Sequence, residues 1–204
     1  MTVPLQPHQT QQERRDRTRA RLIEATIRSI ADHGYPATTT RRIAELSDTS
    51  LGALAHHFPA RVDLIATAMG EVAYRMGVDL HTAAKSALTT SDKPTAALLD
   101  VLWSLFHNQT FTIWVKVWIA AADDPELYAA VAPVDATINR AFAELAADIA
   151  PADLSRAAWN TRISATLDAM RGLALTLAVQ PRKATSRRDP WPNLRSELIA
   201  LVER

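Results

Sequence analysis

Thr38-Thr39-Thr40-Arg41-Arg42-Ile43-Ala44-Glu45-Leu46-Ser47-Asp48-Thr49-Ser50-Leu51-Gly52-Ala53-Leu54-Ala55-His56-His57-Phe58 reads as two short helices joined by a tight polar turn. Threonine oxygens can cap the first helix, whose apolar side is Ile43, Ala44 and Leu46. Ser47-Asp48-Thr49 breaks it, and Ser50 can cap the second. Leu54 and Phe58 then turn inward, which leaves Gly52, Ala53 and His56 on the outer side. Small residues let a helix axis come close to a neighbouring surface, and this arrangement suits insertion into a major groove of DNA. Leu51 lies only about 60° from Leu54 on the helical wheel, so partial burial in a small core is expected of it.

Upstream, Arg14, Arg15, Arg17, Arg19 and Arg21 crowd the start of a helix expected over 12–33. At about 100° per residue, Arg14, Arg17, Arg21 and Arg28 fall on one side and Ile23, Ile27 and Ile30 on the other. One face packs and the other meets solvent or phosphate. The net charge of +1 says little, because affinity for phosphate depends on where positive charge sits rather than on its total.

Downstream, apolar residues recur at spacings of three and four, strand-like alternation is nearly absent, and the five glycines are scattered. The expected fold is all-α, with further helices at 39–46, 50–57, 61–86, 93–108, 110–122, 125–149, 152–179 and 192–203. Gly34-Tyr35-Pro36 stops the first helix, and Pro94, Pro125 and Pro151 sit at or near later starts. Residues to about 60 are polar and arginine-rich, whereas 95–180 are rich in Ala, Leu and Trp. Two parts are therefore expected, 12–60 and 61–204, joined by the helix that begins near Arg61.

Nearly half of the 204 residues are apolar, enough for a real core, and there is no cysteine. Disulfides and thiolate chemistry are excluded, and a cytoplasmic location is expected. Met1 to Gln12 read as a loose polar tail without the apolar run of a signal peptide, and no stretch reaches a membrane span. No Gly-x-Ser-x-Gly elbow, glycine-rich phosphate loop or His-Glu-x-x-His pair supports an enzyme, and no cofactor is expected. His56 and His57 point about 100° apart on a helix with no further ligand at suitable spacing, so no metal site is expected. Asp168 and Arg171, three apart, read as an intrahelical ion pair.

The order of signals resembles the TetR family of bacterial transcriptional regulators. The likeness rests on the basic helix ending at Gly34-Tyr35, the Thr39-Thr40-Arg41-Arg42-Ile43-Ala44 start, Ser50-Leu51-Gly52-Ala53-Leu54, and His57-Phe58-Pro59 before Arg61. It covers about the first 65 residues, with looser echoes at Asp124-Pro125-Glu126-Leu127 and from Asp168 to Ala174. Two departures stand out: Ala55 where the family commonly has tyrosine, and Asp48 where it commonly has a glycine in the turn. The first removes a phosphate contact, and the second brings negative charge near the groove.

The resemblance implies a three-helix, helix-turn-helix head on a helical ligand-binding and dimerisation domain. Carried over by position, Thr39, Thr40, Arg42, Ser50, His56, His57 and Arg61 are candidates for phosphate contacts, and Leu51, Gly52 and Ala53 for base edges. Phe111, Trp114 and Trp118 share a helix face that either lines a cavity or simply packs. Trp103, Phe106 and His107 from the preceding helix are expected to add walls, with Leu167 and Met170 closing the site. The small face Ala165, Ala169, Gly172, Thr176 and the leucines Leu194, Leu198, Leu201 are expected in a homodimer interface. Arg182–Arg188 is expected to be a solvated loop. The implied function is a repressor released from palindromic double-stranded operator DNA by a small-molecule effector. The competing reading is a helical small-molecule binding protein with little sequence-specific DNA recognition.

Overall fold

The computed structural model describes residues 10–147, 149–178 and 189–203, so the N-terminal tail before residue 10 and the Arg182–Arg188 segment lie outside the described residues. Among them the only regular elements are α-helices: α1 (Gln11–His33), α2 (Thr40–Leu46), α3 (Leu51–His57), α4 (Arg61–Thr90), α5 (Pro94–Phe106), α6 (Gln109–Ala121), α7 (Pro125–Ala147), α8 (Arg156–Ala178) and α9 (Trp191–Glu203). The all-α expectation holds. No described helix is long and apolar enough to cross a membrane.

Local chemistry explains most helix ends. Thr10 and Glu13 form a reciprocal capping box at the start of α1, and Gly34, at φ 79°, ends that helix in a conformation disfavoured for L side chains. Asn108 caps α6 by accepting from the Phe111 amide at 2.9 Å, and Asp124 does the same for α7 through Leu127 at 3.0 Å. α8 starts at Arg156 rather than at 152, because Pro151 to Leu154 close a turn of their own and Ser155 then takes the capping position. α4 continues to Thr90, past the expected end at 86, since nothing before Ser91 breaks it.

Two apolar clusters organise the packing. A small one joins Leu22 and Ala25 of α1, Ile43 and Ala44 of α2, Leu54 and Phe58 around α3, and Leu64 of α4. The large one runs through α4 to α9 and takes in Ile27, Ile30 and Tyr35 at the far end of α1. α4 contributes to both, and it lies mainly against α7, α5 and α1. α9 is held to α5 by Asp100, which accepts from Trp191 Nε1 at 3.2 Å and from Arg195 at 2.6 and 2.7 Å, while Trp191 stacks on Trp103 at 4.4 Å.

Candidate functional site

The short helices of the head are set by their caps. Thr39 Oγ1 accepts from the Arg42 amide at 3.2 Å, and Ser50 Oγ accepts from the Ala53 amide at 3.1 Å. Between them Ser47 is buried and donates to the Ile43 carbonyl at 2.7 Å, while Asp48 makes the turn at φ 51°. With Leu54 and Phe58 drawn into the small cluster, the outer side of α3 is left free: Leu51, Gly52, Ala55 and His56 are exposed, and Ala53 and His57 half-buried. Leu51, expected to be partly buried, is 53% exposed, because the register that buries Leu54 turns its neighbour three residues earlier outward at the first turn. An added Cβ at Gly52 would meet only Ser50 Oγ, at 4.0 Å, so internal packing does not demand glycine there.

The basic candidates divide. Thr39 is exposed and Thr40 half-buried, at the start of α2. Arg42 is half-buried, with Nη1 donating to the Ala37 carbonyl at 3.2 Å. Arg61, half-buried, is held by its own chain: Nε donates to Thr38 O at 2.9 Å, Nη2 to Tyr35 O at 3.0 Å and Nη1 to the Tyr35 hydroxyl at 3.2 Å, with the guanidinium 4.4 Å from the Tyr35 ring centre. It is a bracket for the turn after α1 rather than a free cation. Arg19, absent from the sequence-derived contacts, sits 5.0 Å over Phe58. Burial, then His56, Arg15 and Arg19, push the His57 imidazole below its ordinary 6.5, so the α1 arginines and the end of α3 form one basic edge. The arginine run at 14–21 was the signal for it.

In the C-terminal half an open cleft of about 500 Å³ lies between α6, α7 and α8. Phe111, Trp114 and Trp118 line it, as one of the two sequence readings had it, and Ile119 and Leu175 form apolar rims. Asp135, Asp168 and Arg171 add polar lining; the Asp168–Arg171 pair was expected as an intrahelical ion pair, its place on the cleft was not. Asn139 donates to Asp135 at 2.9 Å and accepts from Arg171, whose other nitrogen is 3.6 Å from Asp168. Burial raises the Asp135 carboxyl above its ordinary 3.8, with Arg171 and Asn139 working against the rise.

The remaining expected walls pack elsewhere. Trp103 is turned onto Trp191, His107 hydrogen-bonds back to the Trp103 carbonyl at 3.0 Å, and Phe106 packs on Phe111 and Phe142 inside the core. Met170 is fully buried, and Leu167 faces a separate, small apolar void of about 10 Å³. A second open groove, about 700 Å³ and mostly apolar, runs between α4 and α7 past Gly70, Tyr74, Gly77 and Ile138; sequence reading missed it. A Cβ added at Gly70 or Gly77 would meet nothing within 4 Å, so internal packing demands glycine at neither position. Of the expected dimer residues, Ala165, Gly172, Thr176 and Leu201 are exposed, Ala169 and Leu194 half-buried, and Leu198 is buried within its own chain. Gly172 lies both on this face and on the cleft.

The model for bacterial regulatory proteins of the tetR family matches residues 22–68, from within α1 to within α4, and so spans both short helices and the turn at Asp48. Over 120 residues the chain is 33% identical to an uncharacterized HTH-type transcriptional regulator of Mycobacterium tuberculosis, covering 58% of this chain and 60% of that one. It is 30% identical over 119 residues to the HTH-type transcriptional regulator BetI of Burkholderia mallei, covering 55% and 59%. Over its head the chain is thus similar to the TetR family of regulators.

The matched region thus spans about three-fifths of the length of those curated relatives. The likeness of fold extends further. Multidrug binding protein EbrR, in its complex with imidazole, superposes with a TM-score of 0.68 at 22% identity, over 90% of this chain and 93% of that one. A TetR-family member from Streptomyces coelicolor gives 0.67 at 22% identity, over 90% and 97%. Both likenesses of fold reach past the head into the C-terminal helices.

Proposed function

We propose that this chain is a TetR-family, homodimeric, ligand-responsive transcriptional regulator, a repressor that leaves a two-fold operator when a small molecule binds. The observation that carries the reading is the free outer side of α3, held out by a small core of its own and edged by the α1 arginines. Residues 12–60 act as the DNA-binding part and 61–204 as the ligand-binding and dimerisation part. Leu51, Gly52 and Ala53 meet base edges, where Leu51 methyls suit a thymine methyl. Thr39, Thr40, Arg42, Ser50, His56 and His57 meet phosphates, joined by Arg15 and Arg19, while Arg61 holds the turn that presents them. The protein works where the chromosome is, in the cytoplasm, and carries out no catalysis; the curated relatives are named as regulators.

The effector occupies the α6–α7–α8 cleft, whose volume and aromatic lining with a few polar groups fit a small organic molecule. EbrR, which shares the fold, is a multidrug binding protein and has been seen with imidazole. Dimerisation uses the exposed small face of α8 with Leu201 and Leu194 of α9; Leu198 supports α9 from within. A two-fold dimer places its heads about one helical turn of DNA or more apart, so the operator is roughly palindromic. To cause release the effector must bind the released state more tightly than the DNA-bound one.

Selection of fragments from the source genome by purified protein, followed by titration of a recovered fragment and a scrambled one over a salt range, tests this. A strong preference for the recovered fragment that persists as salt rises is expected. Equal, steeply salt-dependent affinity for both would sink the regulator and favour the small-molecule binding protein, for which Asp48 and Ala55 would be the reason.

A further inference from the structure

α6 has two working sides. Phe111, Trp114 and Trp118 fall together on the side lining the cleft, and at about 100° per residue Lys116 lies nearly opposite them. Its ammonium reaches the carboxyl end of α1, donating to the main-chain oxygen of Ile30 at 3.3 Å and to that of Ala31. The Ile30 carbonyl also accepts from the Gly34 amide at 3.0 Å, and a cation there meets the negative end of the helix dipole. At the corner where α6 gives way to α7, Asp124 makes a second grip. One carboxylate oxygen caps α7, and the other accepts from the Tyr35 hydroxyl at 3.3 Å. That hydroxyl in turn accepts from Arg61, which holds the carbonyls of Tyr35 and Thr38 immediately before the cap of α2. Burial keeps the Tyr35 phenol above its ordinary 10.0, with Asp124 adding to the rise and Arg61 opposing it, so the proton that makes this bond stays in place at neutral pH.

We propose that these two grips carry the state of the cleft to the head, with Lys116 as the coupling residue. The inference rests on the cleft and head roles given above. A ligand that displaces α6 away from α1 draws the ammonium off the Ala31 carbonyl and the Asp124 carboxylate off Tyr35 in one movement. Both grips join half-buried polar groups, which are costly to leave unpaired, so they are kept or lost together rather than stretched. Losing them frees the α1 end and the Tyr35–Arg61 bracket that set the angle of α2 and α3.

Linkage makes this testable with DNA as the only probe, because whatever the cleft does to DNA affinity, DNA does to the cleft in equal measure. Trp118 is 37% exposed and the other four tryptophans 2 to 8%, so quenching of the intact protein by acrylamide reads chiefly the cleft, and Trp118→Phe identifies its share. Addition of a genome-selected fragment is expected to change the quenching of Trp118 in the wild type. Lys116→Met and, separately, Tyr35→Phe keep the side-chain volume and each removes one grip, so each should keep its thermal stability, bind the fragment more weakly than the wild type within the roughly 5–150-fold range typical of coupling, and at saturating fragment lose at least about half of that response. A wild-type response in both variants overturns the proposal. So does fragment binding by the wild type with no change at Trp118, which leaves the regulator reading standing. Lys116→Met that loses fragment binding along with thermal stability also overturns it, since the grip would then only hold the fold. Failure to recover any bound fragment removes the regulator reading and the coupling with it.

Discussion

The head takes its shape from contacts between residues three or four apart: Thr39 to Arg42, Ser50 to Ala53, Ser47 to Ile43. The cleft is assembled from three helices, with Trp114 and Trp118 brought to Asp135 of α7 and Arg171 of α8. A surface built by caps and one small core is rigid and can be lost at one stroke. A cleft built between long helices widens or narrows as they shift, which is what a binding site for a switch requires. If the two regions are separable, a change in one leaves the other as it was.

The largest effect is expected from Phe58→Ala. Phe58 is 4% exposed in the small cluster, and truncating a buried phenylalanine costs about 3–5 kcal/mol. Binding of the selected fragment should vanish while acrylamide quenching of Trp118 stays as in the wild type. A quenching change of the same proportion would mean that head and cleft unfold as one. Next come the caps: Thr39→Ala or Ser50→Ala should each lower stability by about 1 kcal/mol in urea unfolding and weaken DNA binding without touching the cleft.

A smaller effect sharpens the cleft side. The Asp135 carboxyl is raised by burial, so ionising it costs more in the folded chain than in the unfolded one. Its contribution is present below the ordinary 3.8 and lost as pH rises through the raised value. Asp135→Asn, which keeps an oxygen for Asn139, should therefore melt higher than the wild type at pH 7, by less than about 2 °C in so partly solvated a site, with no gain in acid. The smallest change in stability is expected of Asp48→Gly. Relief of a left-handed conformation, about 1 kcal/mol, is nearly offset by the roughly 0.5–1 kcal/mol entropy of glycine. DNA affinity should rise nonetheless through the lost negative charge, more at low salt than at high.

The legibility of the chain follows the same division. Thr39, Ser50, Asn108 and Asp124 act within one turn of where they stand, so their roles follow from residue type and spacing. Trp103 and Phe106 carry the same local pattern as Trp114 and Phe111 yet face away from the cleft, because Trp191 and Phe142 compete for them. Leu51 stands at a wheel position compatible with burial, and only the placement of the small cluster turns it outward. Arg61 shows a basic side chain at a family contact position, but Tyr35 and Thr38 take its donors.

Residue types and periodicity by themselves determined that the chain is helical, where most helices begin and end, and that a basic head precedes an aromatic half, since each is decided by interactions within a few residues. The tertiary structure decided which aromatics line the cleft, that Asp135, Arg171 and Asp168 line it with them while Asn139 joins Asp135 to Arg171, and that Lys116 of α6 grips the end of α1. A helix presents several faces, and its sequence does not say which neighbour each will meet; that choice belongs to the packing of the whole core.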